Sequence, residues 1–174
     1  MAARTSRRKP TTPQGVPTRE YPSRPFVGVG VVLFRDDEVL LVKRAKPPIS
    51  DNWSIPGGAQ ELGETVREAA LRELKEETGI RRKLVERIAT HPQQLKYDIP
   101  EALANRLWGG KWKGQLQDWY LCRFLGDDGD VNIATKHPEF NDWKWVEPAQ
   151  LPDLIVPFKR DLYRRLLAEF GDHL

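Results

Sequence analysis

The chain has 174 residues, 39% of them hydrophobic and 30% charged, with a formal net charge of +3. That length suits one domain, and the composition is apolar enough for a core, which excludes a fully disordered, collagen-like or low-complexity chain. The longest apolar run, residues 26–34, is broken by glycines and falls well short of the ~20 residues of a spanning helix. Cys122 is the only cysteine, so no internal disulfide can form and a reducing cytoplasm is the simplest expectation.

Residues 1–25 read as a disordered basic tail. They hold six basic residues against Glu20, a net of +5, together with five prolines and little apolar content, while the remaining residues net −2. Such a segment cannot bury enough surface to offset its ordering entropy. No apolar stretch follows the basic start, so it does not read as a secretory signal. Weak attraction to nucleic acid by counterion release and a merely solubilising leader both fit the composition.

The domain is expected over residues 26–174. Residues 26–34 are rich in β-branched types and read as a buried strand. Asp36-Asp37 marks a turn, and residues 38–43 read as the returning strand of a hairpin. Residues 53–55 suggest a short strand that ends in a Pro56-Gly57-Gly58 loop. Thr65-x-x-Glu68 is a capping box, so a helix should run from there to about Thr78, with Gly79 suited to the left-handed position beyond its end. Residues 83–90 read as a strand and residues 101–107 as a short helical turn. Trp108 and Trp112, set among Gly109, Gly110, Lys111 and Lys113, suggest an exposed basic-aromatic loop, either a nucleic-acid contact or a loop tip with buried anchors. Residues 118–125 and 142–146 read as strands. Trp143 and Trp145 are expected to divide, one in the core and one partly exposed. Leu162, Leu166 and Phe170 recur at helical spacing, so residues 158–170 should form an amphipathic helix. There is no internal repeat and no sign of a second core.

The chemistry concentrates in the helix that starts at Thr65. At about 100° per residue, Glu73, Glu76 and Glu77 share an arc of ~100°, with Leu71 and Leu74 beside it as a core-facing edge. These glutamates sit at the negative end of the helix dipole and repel each other at i, i+4. Violating two local rules together tends to mark a functional site. A divalent cation would resolve the conflict, and oxygen-only ligands suit Mg²⁺ or Mn²⁺ rather than zinc. His91, His137 and His173 are scattered and form no zinc-like cluster. A plain solvated acidic face accounts for the helix spacing equally well.

The wider spacing is more specific. Gly58, five residues, Glu64, seven residues, Arg72-Glu73-Leu74, one residue, Glu76-Glu77, one residue, Gly79-Ile80 resembles the complete box of the Nudix hydrolases, and the resemblance extends over residues 26–170. It implies an α/β/α sandwich (class α/β) with a mixed sheet and a loop–helix–loop box. It implies hydrolysis of a nucleoside diphosphate linked to another group, helped by Mg²⁺ or Mn²⁺. Carried onto this chain, Glu76 and Glu77 would be the main metal ligands and Glu73 a ligand or the general base. Arg72 would orient a glutamate, Glu64 would ligate or buttress, and the Gly58 carbonyl would complete the shell.

The second half resembles the bacterial branch of dinucleoside polyphosphate hydrolases and RNA pyrophosphohydrolases. Residues 95–100, Gly114-Gln115-x-Gln117-x-Trp119-Tyr120, Pro138-Glu139-Phe140-x-x-Trp143-x-Trp145-Val146 and residues 156–160 carry this likeness. It implies that Glu139 is a distal metal ligand and that Tyr97, Phe158 and Lys159, with Arg44, contact substrate. Tyr97 could instead be an ordinary strand aromatic, and Lys159-Arg160 could merely open the last helix. The first half departs from that branch. Pro56-Gly57-Gly58-Ala59 stands where it carries Pro-Gln-Gly-Gly, and with residues 43–48 it resembles ADP-ribose or nucleotide-sugar enzymes. An unusual natural member and a combination of two lineages both fit. The expected function is Mg²⁺-dependent cleavage of dinucleoside polyphosphates or 5′-triphosphorylated RNA ends. The alternatives are an ADP-ribose-type pyrophosphatase and a catalytically silent module that binds RNA or nucleotide. The expected partners are nucleotides and RNA 5′ ends, with neither a membrane nor a DNA duplex among them.

Overall fold

A computed structural model of the chain describes residues 27–47, 49–111 and 113–174, apart from the side chains of Leu107 and Trp108. The expected tail lies outside these residues. So do the Trp108 and Trp112 side chains on which the basic-aromatic loop reading rests.

The first two strands, β1 (Gly28–Arg35) and β2 (Glu38–Arg44), form the expected hairpin, turning at Asp36, which takes a positive φ. They pair directly only at Phe34–Val39 and Arg35–Glu38 and then diverge. Into this gap the short β4 (Gly57–Ala59) pairs antiparallel with the Gly28–Gly30 half of β1, while β8 (Phe140–Val146) runs along the opposite edge of β2. The sequence had suggested a loop over Pro56-Gly57-Gly58. Two glycines carry little strand propensity, and it is the open edge of β1 that makes this segment a strand. On its other side β1 pairs in parallel with β7 (Gly114–Phe124). Strand β7 in turn carries β5 (Val85–Thr90) along its second half and β6 (Leu95–Asp98) along its first. With β3 (Trp53–Ser54) on β2, this makes an eight-stranded mixed sheet.

Alternation along β1 divides its side chains between the two sheet faces. Val29, Val31 and Leu33 pack with Leu40, Tyr120 and Cys122 beneath α1 (Val66–Thr78), which contributes Ala69, Ala70 and Leu74. Val32 and Phe34 pack with Leu41, Trp119 and Leu121 beneath α4 (Arg160–Phe170), which contributes Leu162, Tyr163, Leu166 and Phe170. The core is therefore double, one half on each face of a single sheet. Burying a side chain such as Leu74, 1% exposed, contributes about 1.5–3 kcal/mol. The result is an α/β/α sandwich. The shorter helices α2 (Glu101–Trp108) and α3 (Leu151–Leu154) lie outside this pattern, and α3 was not read from the sequence. Trp143 and Trp145 are both half-buried and both pack against the α1-side core. Residues two apart on a strand share a face, so the expectation that they divide was wrong.

Gly30 makes the α4-side packing possible. A Cβ there would run into the ring of Trp119, itself only 3% exposed. Gly30→Ala is expected to lower stability by about 1–3 kcal/mol, the usual cost of overpacking. Urea denaturation checks this, and an unchanged midpoint would show that Trp119 can move aside.

Candidate active site

The box helix is built as its sequence signals require. Thr65 accepts from the Glu68 amide while the Glu68 carboxylate accepts from the Thr65 N–H, closing the capping box. The same bonds hold the Glu68 carboxyl below its ordinary pKa. Gly79 ends the helix at φ 72°, and its N–H donates to the Lys75 carbonyl. The helix thus delivers Glu73 and Glu77 against β4 and leaves Glu76 bonded to Arg72.

The three glutamates differ in surroundings. Glu73 and Glu77 are each 8% exposed, while the Glu76 side chain is 61% exposed. Glu77 accepts from the Gly57 N–H at 2.9 Å, and Glu73 accepts from the Ala59 N–H at 3.0 Å. Gly58, between these donors, lies so close to Glu73 that a Cβ would strike its carboxylate. The strand β4 therefore faces the helix with two donors and, between them, a glycine against which the Glu73 carboxylate packs. Sequence reading missed these donors. Glycines running back along Gly28-Val29-Gly30 were the available signal.

Burial pushes the Glu77 pKa well above the ordinary carboxyl range, and the nearby charges of Glu73 and Glu139 add to this. The Gly57 N–H and the Arg44 cation oppose it.

Arg72 ties the other carboxylates together. Its guanidinium donates to both Glu64 oxygens, at 2.8 and 3.1 Å, to Glu76 at 3.1 Å and to the Ala59 carbonyl at 2.9 Å. It also pairs with Glu73 at 3.2 Å. These contacts hold the Arg72 pKa above its ordinary value, the Glu64 bond contributing most, and the same bond lowers the Glu64 pKa.

The distal candidates converge on the same end of the sheet. Arg44 of β2 pairs with Glu139 at 3.2 Å. Tyr97 of β6 and Phe158 place their ring centroids 5.9 Å apart, and the Lys159 ammonium lies 4.4 Å from the Tyr97 ring centre. Burial pulls the Lys159 pKa down to about 8, helped by repulsion from Arg44 and opposed by Glu77. The electrostatic reach of Arg44, Glu139 and Lys159 to Glu77 joins both halves of the site. Among the described residues, no three His, Cys, Asp or Glu side chains are gathered ready to hold a metal ion. The box carboxylates are directed instead to backbone N–H groups and to Arg72.

The NUDIX domain model matches residues 24–166. An RNA pyrophosphohydrolase of Dinoroseobacter shibae is 52% identical over 122 residues, covering 70% of this chain and 76% of its own. Another, from Sphingopyxis alaskensis, is 46% identical over 152 residues, 87% of this chain and 95% of its own. That second match leaves few residues outside it, so relatives of one named activity run through both halves of the chain. The fold also matches a C. elegans Ap4A hydrolase binary complex, with TM-score 0.63 and 24% identity over 85% of this chain and 99% of that one. The chain belongs to the NUDIX family and is a hydrolase of pyrophosphate bonds.

Proposed function

We propose that this chain removes pyrophosphate from the 5′-triphosphate end of RNA with the help of Mg²⁺ or Mn²⁺. The observation that carries the reading is the identity, 44–52%, to relatives named RNA pyrophosphohydrolase. A second substrate class, dinucleoside polyphosphates, is supported by the paired rings of Tyr97 and Phe158, since aromatic faces stack on any base.

The donor set fits a hard divalent cation. It is all oxygen, and Gly58, having no side chain, lets the Glu73 carboxylate come right up to the β4 backbone. Glu76 and Glu77 would hold the cation, with Glu139 and the Gly58 carbonyl, and Glu73 would serve as ligand or general base. When bound, such a cation neutralises charge on the polyphosphate. Arg72 positions Glu73 and Glu76 through its charged hydrogen bonds. Arg44 and Lys159 supply positive charge for the polyphosphate beside the aromatic pair.

Turnover of a Mg²⁺-supplemented panel tests the reading. Release of pyrophosphate from 5′-triphosphorylated RNA, alone or with diadenosine polyphosphates, is expected. Turnover of ADP-ribose alone would move the chain to that type, and turnover of nothing would favour a binding module.

Lys159 gives a pH test. Its ammonium loses charge as pH rises through about 8, so KM for polyphosphate substrates should rise there. Arginine stays charged, so Lys159→Arg should flatten that rise. An unchanged KM profile would remove Lys159 from substrate binding. The same depressed pKa has a second effect. Between about 8 and 10.5 the unfolded lysine still holds a proton that the folded one has released, so this group makes stability rise with pH in that window.

A further inference from the structure

The flank of α1 away from the glutamates carries a second concavity. Arg67 lies six residues before Glu73, about 120° around the helix axis. It joins Arg82, from the 3-10 turn before β5, and Arg87 of β5 at a cavity of about 70 Å³ floored by Val31, Tyr120 and Cys122. The volume is far below the ~300 Å³ at which pockets for drug-sized ligands begin, so it has room for a small ion and not for a nucleotide.

Three observations point to what fills it. First, Arg67, Arg82 and Arg87, all three exposed, line the cavity from three elements, and none of them forms a hydrogen bond or ion pair with a described residue. Second, neighbouring acidic groups are engaged elsewhere. Glu68, which acts on Arg82, is held in the capping box, Glu86 pairs with Arg123, and Asp118 accepts from Gln94. Third, the Tyr120 ring is buried while its hydroxyl, which stays accessible to solvent, makes no hydrogen bond with a described residue. Cys122 cannot serve as a counter-anion, because burial pushes its thiol up to about 12 and keeps it neutral. Arginine is the side chain best matched to the geometry of a tetrahedral oxyanion, and a tyrosine hydroxyl adds one more donor. The first turn of α1, with Arg67 in it, adds the positive end of the helix dipole.

We propose that this pocket is a second anion site, separate from the box, that takes one phosphate-class oxyanion. The anion is either free phosphate or pyrophosphate, or a phosphodiester of a bound RNA chain.

Metal-free protein is titrated with inorganic phosphate, pyrophosphate and a short 5′-hydroxyl RNA, with chloride at matched ionic strength as the control. The arginine Nε–H signals of Arg67, Arg82 and Arg87 are followed by NMR. A saturable shift is expected, weakened about tenfold or more in the Arg82→Gln/Arg87→Gln double variant, as fits loss of charged hydrogen bonds. Saturation by phosphate or pyrophosphate assigns the site to a free anion, and saturation by the RNA alone assigns it to the backbone. Glu77→Gln should respond as the wild type does, since it alters only the box. Four results would overturn the proposal: no saturable shift with any of the three, an equal shift with chloride, undiminished binding in the double variant, or loss of the response in Glu77→Gln.

Discussion

Glu77→Gln is expected to reduce metal-dependent turnover on the order of a thousandfold, while the metal-free protein melts no lower than wild type. The two halves of this expectation have different causes. Glutamine keeps a carbonyl oxygen that can accept from the Gly57 N–H, so the bond to β4 survives. It also removes a charge that burial, Glu73 and Glu139 all disfavour, so the fold gains or stays level. What the variant loses is an anionic oxygen for a hard cation. Steady-state pyrophosphate release gives the first measurement. Thermal melts with and without Mg²⁺ give the second, because a cation that binds the folded state raises the melting temperature. The wild type should melt higher with Mg²⁺, and the variant should not. Near-wild-type turnover, or an equal Mg²⁺ shift in both proteins, would remove Glu77 from the metal site.

Arg72→Lys is expected to fail in the opposite manner, losing stability even without metal. The guanidinium spans Glu64, Glu73, Glu76 and the Ala59 carbonyl at once. An ammonium on a flexible stem cannot reproduce that planar fork. Glu64, whose side chain is 16% exposed, would keep part of its charge with no partner. A loss of about 1–3 kcal/mol follows from stranding such groups. Turnover should fall roughly 10–100-fold, as for other residues that orient a metal ligand. Urea denaturation and kcat/KM measure the two effects. A lysine variant with unchanged midpoint and rate would show that the arginine only decorates the surface. The pair of variants separates function from support, since Glu77→Gln spares the fold and Arg72→Lys does not.

How much of this could be read in advance depended on the range of the interactions. The box helix was legible because its signals are local: Thr65 and Glu68 cap one end, Gly79 closes the other, and the glutamate spacing lies within one element. The strands with strong β-branched patterns were legible for the same reason, although β7 starts at Gly114, four residues before the expected start. The segment that became β4 was not, because Gly57-Gly58-Ala59 is a strand only where β1 offers an unpaired edge. The pairing of Arg44 with Glu139 spans 95 residues and leaves no periodic trace in the sequence. The arginine pocket was missed for a related reason. Arg67, Arg82 and Arg87 each read as ordinary surface charge until the fold brings α1, the 3-10 turn and β5 to one cavity.

The donors that fix Glu73 and Glu77 belong to β4, and β4 is clipped to the half of β1 that also carries the parallel ladder to β7. Peeling those two amides away would mean opening the middle of the molecule rather than fraying a margin. The floor of the candidate site and the scaffold should therefore surrender together on heating, and this hydrolase should keep its shape up to the point where it has no shape at all.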